Sequence, residues 1–393
     1  MSDKYTFPLA CFLLIELLLL LFPCESTARP EFSALQNSPC WKCHVNPLGG
    51  GERNATGFFA GKNLGLESTT EYLNAKFKDF GDFDPMIADK IQLGADVRVL
   101  WDYLVYHNND LPENLKQGEN STFQFMQGQF YLDAQVLPVF QAVGGYDVAN
   151  NTYEAYGLFD HLPAGIYAKI GRFILPFGLR LDDHTVYTRS AMGFGPLSQD
   201  TGIEAGIRPG PFFLTAALTN GSLGNNSPDR TGHYYSVTGQ TGVRFWKMGL
   251  GLSGFHNNIE SLVNNTYGAW ATFGFWKIAL LGEFDYQEQE TQIEPTATAV
   301  TPAASPKVRL RPGSAAFTEA EIELIRGLLA QLRYTHWDPN WEKAETFEDQ
   351  TMAGLLFYPI PYFSTTLQYK FNRRPADQDR NASEVTALAH FYF

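Results

Sequence analysis

From about residue 90 to its end, the chain alternates apolar and polar side chains with a period of two residues. Near the start of this part, Ala95 and Val97 alternate with Asp96 and Arg98. Successive side chains of a β-strand point to opposite faces, so a period of two predicts strands and not helices. The alternation returns at 130–136, 278–287 and 318–324. It predicts an all-β fold for most of the chain.

Sixteen such segments follow one another, and the connections between them alternate strictly between short and long. The predicted strands lie near 91–104, 122–136, 138–148, 152–160, 164–173, 201–209, 211–219, 233–246, 249–257, 265–276, 277–287, 315–325, 327–337, 346–358, 360–371 and 383–393. A soluble sandwich would also alternate, but it would turn its charged residues outward to water. Transmembrane barrels combine short periplasmic turns with longer outer loops, and an even strand number returns both termini to the periplasm. We therefore predict a transmembrane antiparallel β-barrel of about 16 strands over residues 90–393.

Aromatic residues beside the short connections favour a membrane location. Trp246, Trp276, Phe357 and Tyr358 stand where the interfacial girdle of a barrel would lie. The last segment, 385–393, alternates and closes on a terminal Phe, which resembles the insertion signal of outer-membrane proteins. These features predict a location in the cell outer membrane, with lipid as one partner.

A dense apolar run occupies the start of the chain and ends in small residues at 26–28. This arrangement is typical of a cleaved secretory signal peptide, predicted here as residues 1–28. An uncleaved anchor is the alternative, but Glu16 interrupts the run and leaves it short for a membrane span. Cleavage would remove two of the four cysteines and leave one pair.

The remaining pair belongs to the sequence Cys40-Trp41-Lys42-Cys43-His44. Each of two thiols at this spacing can take one vinyl group of a porphyrin, and the imidazole that follows can reach the iron as its proximal ligand. A structural zinc site would need two more nitrogen or sulfur ligands, and a thioredoxin-like disulfide would need a βαβ context. The motif therefore predicts one covalent haem c, bound by Cys40, Cys43 and His44.

The motif lies in a polar, glycine-rich segment, residues 29–89, that has little apolar periodicity. Such a segment can bury little core of its own, so the haem would supply the core of this monohaem cytochrome c segment. The apolar band of a barrel is about 25 Å tall, which one haem in the periplasm could not bridge, so we expect the segment to plug the lumen. A haem segment hanging below an open pore is the alternative.

The glycines at 49–51 would either let the backbone approach the porphyrin or form a flexible linker. Arg53 would either pair with a haem propionate or stay solvated.

The sixth ligand of the iron has several candidates. Met86, late in the haem segment, is the first, and a methionine there would raise the reduction potential relative to two histidines. The others are His184 and Met192 in a long connection, and Met352 and His390 at lumen-facing positions. Each candidate also has a structural interpretation. The methionines would fill space in the packing, His184 would lie in solvent, and His390 would form a hydrogen bond within the barrel wall.

The formal charge of −13 disfavours nucleic acid as a partner and favours small cations or basic proteins. Lumen-facing carboxylates are expected at Glu283, Asp285, Glu319, Glu321 and Glu323. They would attract Fe²⁺ or other cations, or would hydrate the pore and pair with inward bases such as Arg333 and Lys370.

A mature N-terminal Cys-x-x-Cys-His joined to a barrel of about 16 strands resembles the fused monohaem cytochrome-porins of bacterial outer membranes, including the outer-membrane iron oxidases. The resemblance implies electron transfer from an extracellular donor such as Fe(II) to a periplasmic cytochrome or other electron carrier. No substrate site of that group can be matched residue by residue, which leaves the donor open. The segment 171–178 is similar to one in phosphate-selective porins, where a loop folds into the lumen. A phosphate preference is not carried over, because the lumen is not clearly basic.

Three functions follow from these patterns. The first is an electron transfer protein, which would be an Fe(II)-oxidising cytochrome if iron is the donor. The second is a diffusion porin whose haem-bearing segment is only a structural plug. The third is a haem peroxidase-like enzyme, which requires an open sixth position on the iron.

Overall fold

The computed structural model describes residues 30–36, 38–77, 84–88, 90–107, 119–181, 183, 185–225, 235–259, 262–292, 307–374 and 381–393. The predicted leader, residues 1–28, lies outside the described residues, as do His184 and parts of the predicted long connections.

The dominant element is one antiparallel sheet that closes on itself. A two-residue strand, β1 (Met86–Ile87), leads into sixteen barrel strands in the described part of the chain. They are β2 (Ile91–Tyr106), β3 (Asn120–Leu137), β4 (Phe140–Asp147), β5 (Thr152–Phe159), β6 (Tyr167–Ile174), β7 (Gln199–Ile207), β8 (Phe212–Thr219), β9 (Tyr235–Phe245), β10 (Met248–Ile259), β11 (Leu262–Phe275), β12 (Ile278–Gln292), β13 (Lys307–Ile325), β14 (Leu328–Asp338), β15 (Glu348–Ile360), β16 (Phe363–Arg373) and β17 (Ala382–Tyr392). Each barrel strand pairs with its sequence neighbour, and β17 pairs with β2 to close the ring. The predicted sixteen-stranded barrel is confirmed.

The polarity of the two faces of the barrel is the reverse of that in a soluble domain, because the apolar side chains lie outside and the polar ones inside. On the outer face, Phe284, Leu332 and Leu367 are between 47% and 59% exposed, whereas Glu283 and Asp285 on the inner face are buried. Backbone polar groups in lipid must be satisfied within the protein, and a closed barrel achieves this without an unpaired edge. The outer face therefore suits lipid, and the polar side chains line the lumen. Among the described residues, no helix is long and apolar enough to cross a bilayer, a finding that concerns helices alone.

Two of the four predicted girdle residues are strongly exposed at short turns. Trp246 is 52% exposed and Trp276 is 73% exposed, and each begins a two-residue turn between strands. Tyr358 is an exception, because it is 1% exposed and its ring centroid lies 6.3 Å from that of Phe32 inside the barrel. The pairing of β15 with β16 shifts register after Phe357, and Tyr358 turns inward next to this shift. The girdle prediction was therefore wrong for Tyr358.

The described residues of the N-terminal segment contact side chains on the inner face of the barrel. Its helices are α1 (Pro30–Gln36), α2 (Ala55–Lys62) and α3 (Glu67–Lys76). Helix α1 contacts β11 and β12, and Arg244 on β9 donates a hydrogen bond to the Ser33 hydroxyl at 3.0 Å. The chain after α2 meets the short-turn rim, where the Leu66 amide donates to the Tyr358 carbonyl at 3.0 Å. We call residues 30–36 and 38–77 the plug.

A second segment, residues 175–181, 183 and 185–198, also folds into the lumen and contains the short helix α4 (Tyr187–Ser190). Its backbone is fixed by lumen side chains: the Gly178 amide donates to Ser253 Oγ and the Leu179 amide donates to Glu283 Oε2, both at 3.0 Å. Phe177 and Phe194 stack with ring centroids 3.9 Å apart. We call this segment the inner loop, and its position agrees with the resemblance noted for residues 171–178.

Replacing Leu332 by Arg should destabilise the barrel by about 2 kcal/mol, because a guanidinium would have to enter the hydrocarbon layer. Leu332→Val keeps the outer face apolar and is the matched control. The free energy of unfolding is measured by urea titration of the protein in lipid vesicles. Equal values for the two variants would contradict a lipid-facing Leu332.

Candidate functional site

The cysteine motif forms one tight turn. Residues Cys40–Lys42 make a 3₁₀ turn, and the Cys43 and His44 amides donate to the Cys40 carbonyl at 3.2 and 3.1 Å. The Asn54 side chain holds this turn, since its Nδ2 donates to the carbonyls of Trp41 and His44, both at 3.3 Å. The three residues predicted to bind a cofactor are therefore brought together, and Cys40 and Cys43 are not joined by a disulfide.

Two glycines permit the close packing around the motif. Gly49 has a φ of +87°, and a Cβ at this position would lie 2.9 Å from Cys40 Cβ. A Cβ on Gly57 in α2 would lie 2.0 Å from the Cys43 carbonyl oxygen. Side chains at either position would therefore displace the cysteine turn.

Basic side chains of the barrel fix the motif in the lumen. The Arg208 guanidinium lies 5.0 Å from the Trp41 ring centroid, and Arg244 Nη2 lies 3.8 Å from Cys40 Sγ. Lys169 Nζ donates to Asn46 Oδ1 at 3.4 Å. Three separate parts of the wall thus contact residues 40–46.

A cavity of about 60 Å³ lies between the motif, the inner loop and the wall. We call it the thiol cavity, and its lining includes Cys40, Cys43, His44, Gly49, Leu179, Arg180, Phe213, Gln240, Arg244 and Trp270. Arg180 and Arg244 line it, whereas none of its described lining residues is Asp or Glu.

A second cavity, of about 120 Å³, adjoins the first. It is lined by Arg53, Asp96, Arg98, Glu154, Phe177, Arg189 and Phe194, and it shares His44, Gly50, Leu179 and Arg180 with the thiol cavity. His44 therefore stands at the boundary between the two spaces.

Arg53 and His390 take part in a network between plug and wall. The Arg53 guanidinium lies 4.3 Å from the centroid of the Tyr392 ring. His390 Nε2 lies 2.8 Å from Asp96 Oδ1, and Arg98 Nε lies 2.9 Å from the same atom. The Asp96 carboxylate thus holds His390 in the barrel wall. This corresponds to the structural role predicted for His390 and not to its alternative role as an iron ligand.

The methionines named as sixth-ligand candidates lie in three different places. Met86 is half-buried in β1, Met192 is packed in an apolar cluster with Val45, and Met352 is fully buried on the inner face of β15. None of the three is among the described residues that line the cavities containing His44. Met86 as the distal ligand stays a prediction.

The lumen carboxylates act mainly as anchors. Glu283 accepts from Arg189 and from the Leu179 amide, both in the inner loop. Arg333 pairs with Glu319, as predicted, and also with Asp183 of the inner loop at 2.5 Å. Lys370 pairs instead with Glu384 at 3.7 Å. The described residues contain no group of three or more His, Cys, Asp or Glu placed to hold a metal ion.

Glu52 is a functional candidate that the sequence did not reveal. Its side chain is buried at the plug–wall contact, and its carboxyl oxygens have no hydrogen-bond partner among the described residues. Burial, together with the nearby Asp133 carboxyl, raises the pKa of Glu52 to about 9. The two acids are far apart in sequence, so only the fold brings them together.

Comparison with solved structures identifies the fold. The chain is similar to the outer membrane channel DcaP of Acinetobacter baumannii, with 10% identity, a TM-score of 0.53 and coverage of 77% of this chain and 97% of that one. It is similar to an anion-selective porin from Comamonas acidovorans, with 10% identity, a TM-score of 0.55 and coverage of 77% and 99%. OmpT of Vibrio cholerae matches with 10% identity, a TM-score of 0.54 and coverage of 79% and 100%.

No family model matches the sequence, and no curated protein matches it. The fold alone therefore defines the class: the chain is a porin-like, sixteen-stranded barrel of the outer membrane.

Glu52 should make folding stability depend on pH. It keeps its proton in the folded protein but ionises in the unfolded chain, so its contribution is fully present below about pH 4.5 and is lost as the pH rises toward 9. The loss is at most about 1.4 kcal/mol per pH unit. Glu52→Gln cannot ionise and should flatten the slope, whereas Glu67→Gln on exposed α3 should not. Denaturant unfolding at several pH values measures how the free energy of unfolding changes with pH. An unchanged pH dependence in Glu52→Gln would contradict the prediction that Glu52 is protonated in the folded protein.

Proposed function

We propose that this protein carries one covalent c-type haem inside its barrel and transfers electrons across the outer membrane. The observation that carries the proposal is the position of the Cys40–His44 motif, whose two thiols and imidazole line one cavity together with side chains of the barrel wall. The donor would be extracellular, such as Fe(II), and the acceptor would be a periplasmic cytochrome or other electron carrier.

The residues at the thiol cavity fit a haem. Both thiols and the imidazole line the same space, and Cys40 and Cys43 form no disulfide with each other. Gly49 leaves room against Cys40 that a Cβ would fill. Two arginines and no described carboxylate line the cavity, which suits a group with acidic substituents.

Each part of the chain has a distinct task in this proposal. Cys40 and Cys43 would form the two thioether bonds, and His44 would ligate the iron. The haem would supply a one-electron redox centre. The barrel wall separates the plug from lipid, and the inner loop lies against the plug, since Met192 and Phe194 share an apolar cluster with Val45. Cys43 and His44 are buried in this arrangement, whereas Lys42 stays exposed.

Electron transfer should require His44. Proteoliposomes would enclose an oxidised dye, with Fe(II) or dithionite added outside, and the rate of dye reduction would be measured. His44→Ala should lose most of this rate, because its imidazole is the proposed iron ligand. His107→Ala, which changes an exposed histidine at the far end of β2, should retain it. Equal rates for His44→Ala and the native protein would refute the proposal.

A second function, diffusion of small solutes, is favoured by the comparisons, and they support it better than they support electron transfer. The solved structures compared above are named as channels or porins, and one is named as anion-selective. Four arginines line the second cavity of this chain beside two carboxylates, Asp96 and Glu154, and this excess of positive charge would also favour anions.

A haem peroxidase-like function would use a distal histidine to assist peroxide cleavage. Among the described residues that line the thiol cavity, His44 is the sole histidine.

The diffusion function predicts ion conductance in planar bilayers that does not depend on redox state. The double variant Cys40→Ser, Cys43→Ser should conduct as the native protein does, because diffusion needs no thioether bonds. Electron transfer alone would instead leave conductance low in the native protein, whose lumen the plug and the inner loop occupy. Conductance traces of the two proteins, recorded with and without dithionite, decide between these outcomes.

A further inference from the structure

The thiol cavity is positively charged in a strongly acidic protein. The whole chain has a formal net charge of −13, yet the described lining of this cavity contains Arg180 and Arg244 and no carboxylate. Other lumen arginines have acidic partners: Arg189 pairs with Glu283, and Arg333 pairs with Glu319 and Asp183. The two cavity arginines therefore differ from their neighbours.

Arg244 reaches the motif from β9. Its Nη1 donates to Ser33 Oγ at 3.0 Å, its Nη2 lies 3.8 Å from Cys40 Sγ, and its guanidinium lies 5.9 Å from the Trp270 ring centroid. Among the described residues it makes no ion pair. It is partly buried, with polar and aromatic neighbours that do not neutralise it.

Arg180 reaches the same cavity from the inner loop. Its Nη2 donates to the carbonyls of Ile174 and Leu175, both at 2.9 Å. Glu154 and Glu204 both act on it electrostatically. Glu154 Oε1 accepts from the Ile174 amide at 2.8 Å and Glu204 pairs with Lys169, and neither acid forms an ion pair with Arg180 within the described residues. Burial lowers the pKa of Arg180, although a guanidinium stays charged near neutral pH.

Neither guanidinium forms an ion pair among the described residues, and a partly buried cation without a hydrogen-bonded carboxylate loses hydration that nothing replaces. A carboxylate would remove this cost, because its two oxygens match the donor fork of a guanidinium. Since the arginines come from different elements and line one cavity, two carboxylates on one ligand would engage both.

We propose that Arg180 and Arg244 form a carboxylate-binding site in the thiol cavity. Its ligand is either the pair of propionates on the cofactor itself, an assignment that rests on the proposed function, or a soluble dicarboxylate that enters the lumen.

The first measurement is the midpoint potential of the purified full-length protein. Loss of a cation beside the redox centre favours the oxidised state, so Arg180→Gln and Arg244→Gln should each lower the potential. The double variant should shift the reduction equilibrium at least tenfold, or about 59 mV for a one-electron couple. Arg180→Lys and Arg244→Lys keep the charge and should restore much of the potential, and Arg373→Gln, at an exposed position, should not change it.

The second measurement is calorimetric titration with malonate. If the propionates occupy the site, malonate does not bind the native protein and the potential falls in the variants. If the site serves a solute, malonate binds the native protein, and binding weakens about tenfold in the Gln variants while the potential is unchanged. Either pattern supports the site and identifies its ligand.

The proposal is overturned if the double Gln variant leaves both the potential and malonate binding unchanged from the native protein. Folding of every variant is checked by heat-modifiable mobility in gels, and Arg180→Met or Arg244→Met, which also removes the charge, replaces a Gln variant that fails this check. A native protein without covalent haem would end the proposed electron transfer, but the malonate titration would still decide whether the arginines bind carboxylates.

Discussion

The structure depends on the pairing of its last strand with its first barrel strand. β17 and β2 pair in register from Ala382↔Tyr106 to Tyr392↔Asp96, and this seam turns an open sheet into a ring. Without it, two strand edges would face lipid with unsatisfied backbone groups, which a bilayer does not tolerate. The ring also creates the enclosed lumen in which the charged residues, the plug and the inner loop are held.

Inside the ring, charge pairing positions the inner loop. Glu283 accepts a backbone amide and a guanidinium from this loop, and Arg333 binds its Asp183. These anchors come from β12 and β14 on one side of the barrel. The loop is therefore held against the plug, and the two cavities lie where the loop, the plug and the wall do not fill the lumen.

Much of the fold could be predicted because the side chains of a strand alternate between its two faces and the turns alternate in length. The strand count, the inward position of Glu283 and the clustering of Cys40, Cys43 and His44 all follow from local sequence. Tyr358 was placed on the wrong face because a register shift interrupts the alternation, and a single sequence does not mark such shifts. Arg180 and Arg244, like Glu52 and Asp133, come together only through long-range packing, which no spacing rule detects.

The contact between Arg53 and Tyr392 joins the beginning of the folded chain to its end. Ala95 and Phe393 exchange backbone hydrogen bonds at 3.2 and 3.1 Å beside it, so the carboxy-terminal residues complete both the seam and the seat of the N-terminal segment. That segment cannot reach its final surroundings until β17 has paired with β2 and closed the wall. Loss of β17 would therefore open the ring and also remove the Arg53 contact that holds the segment.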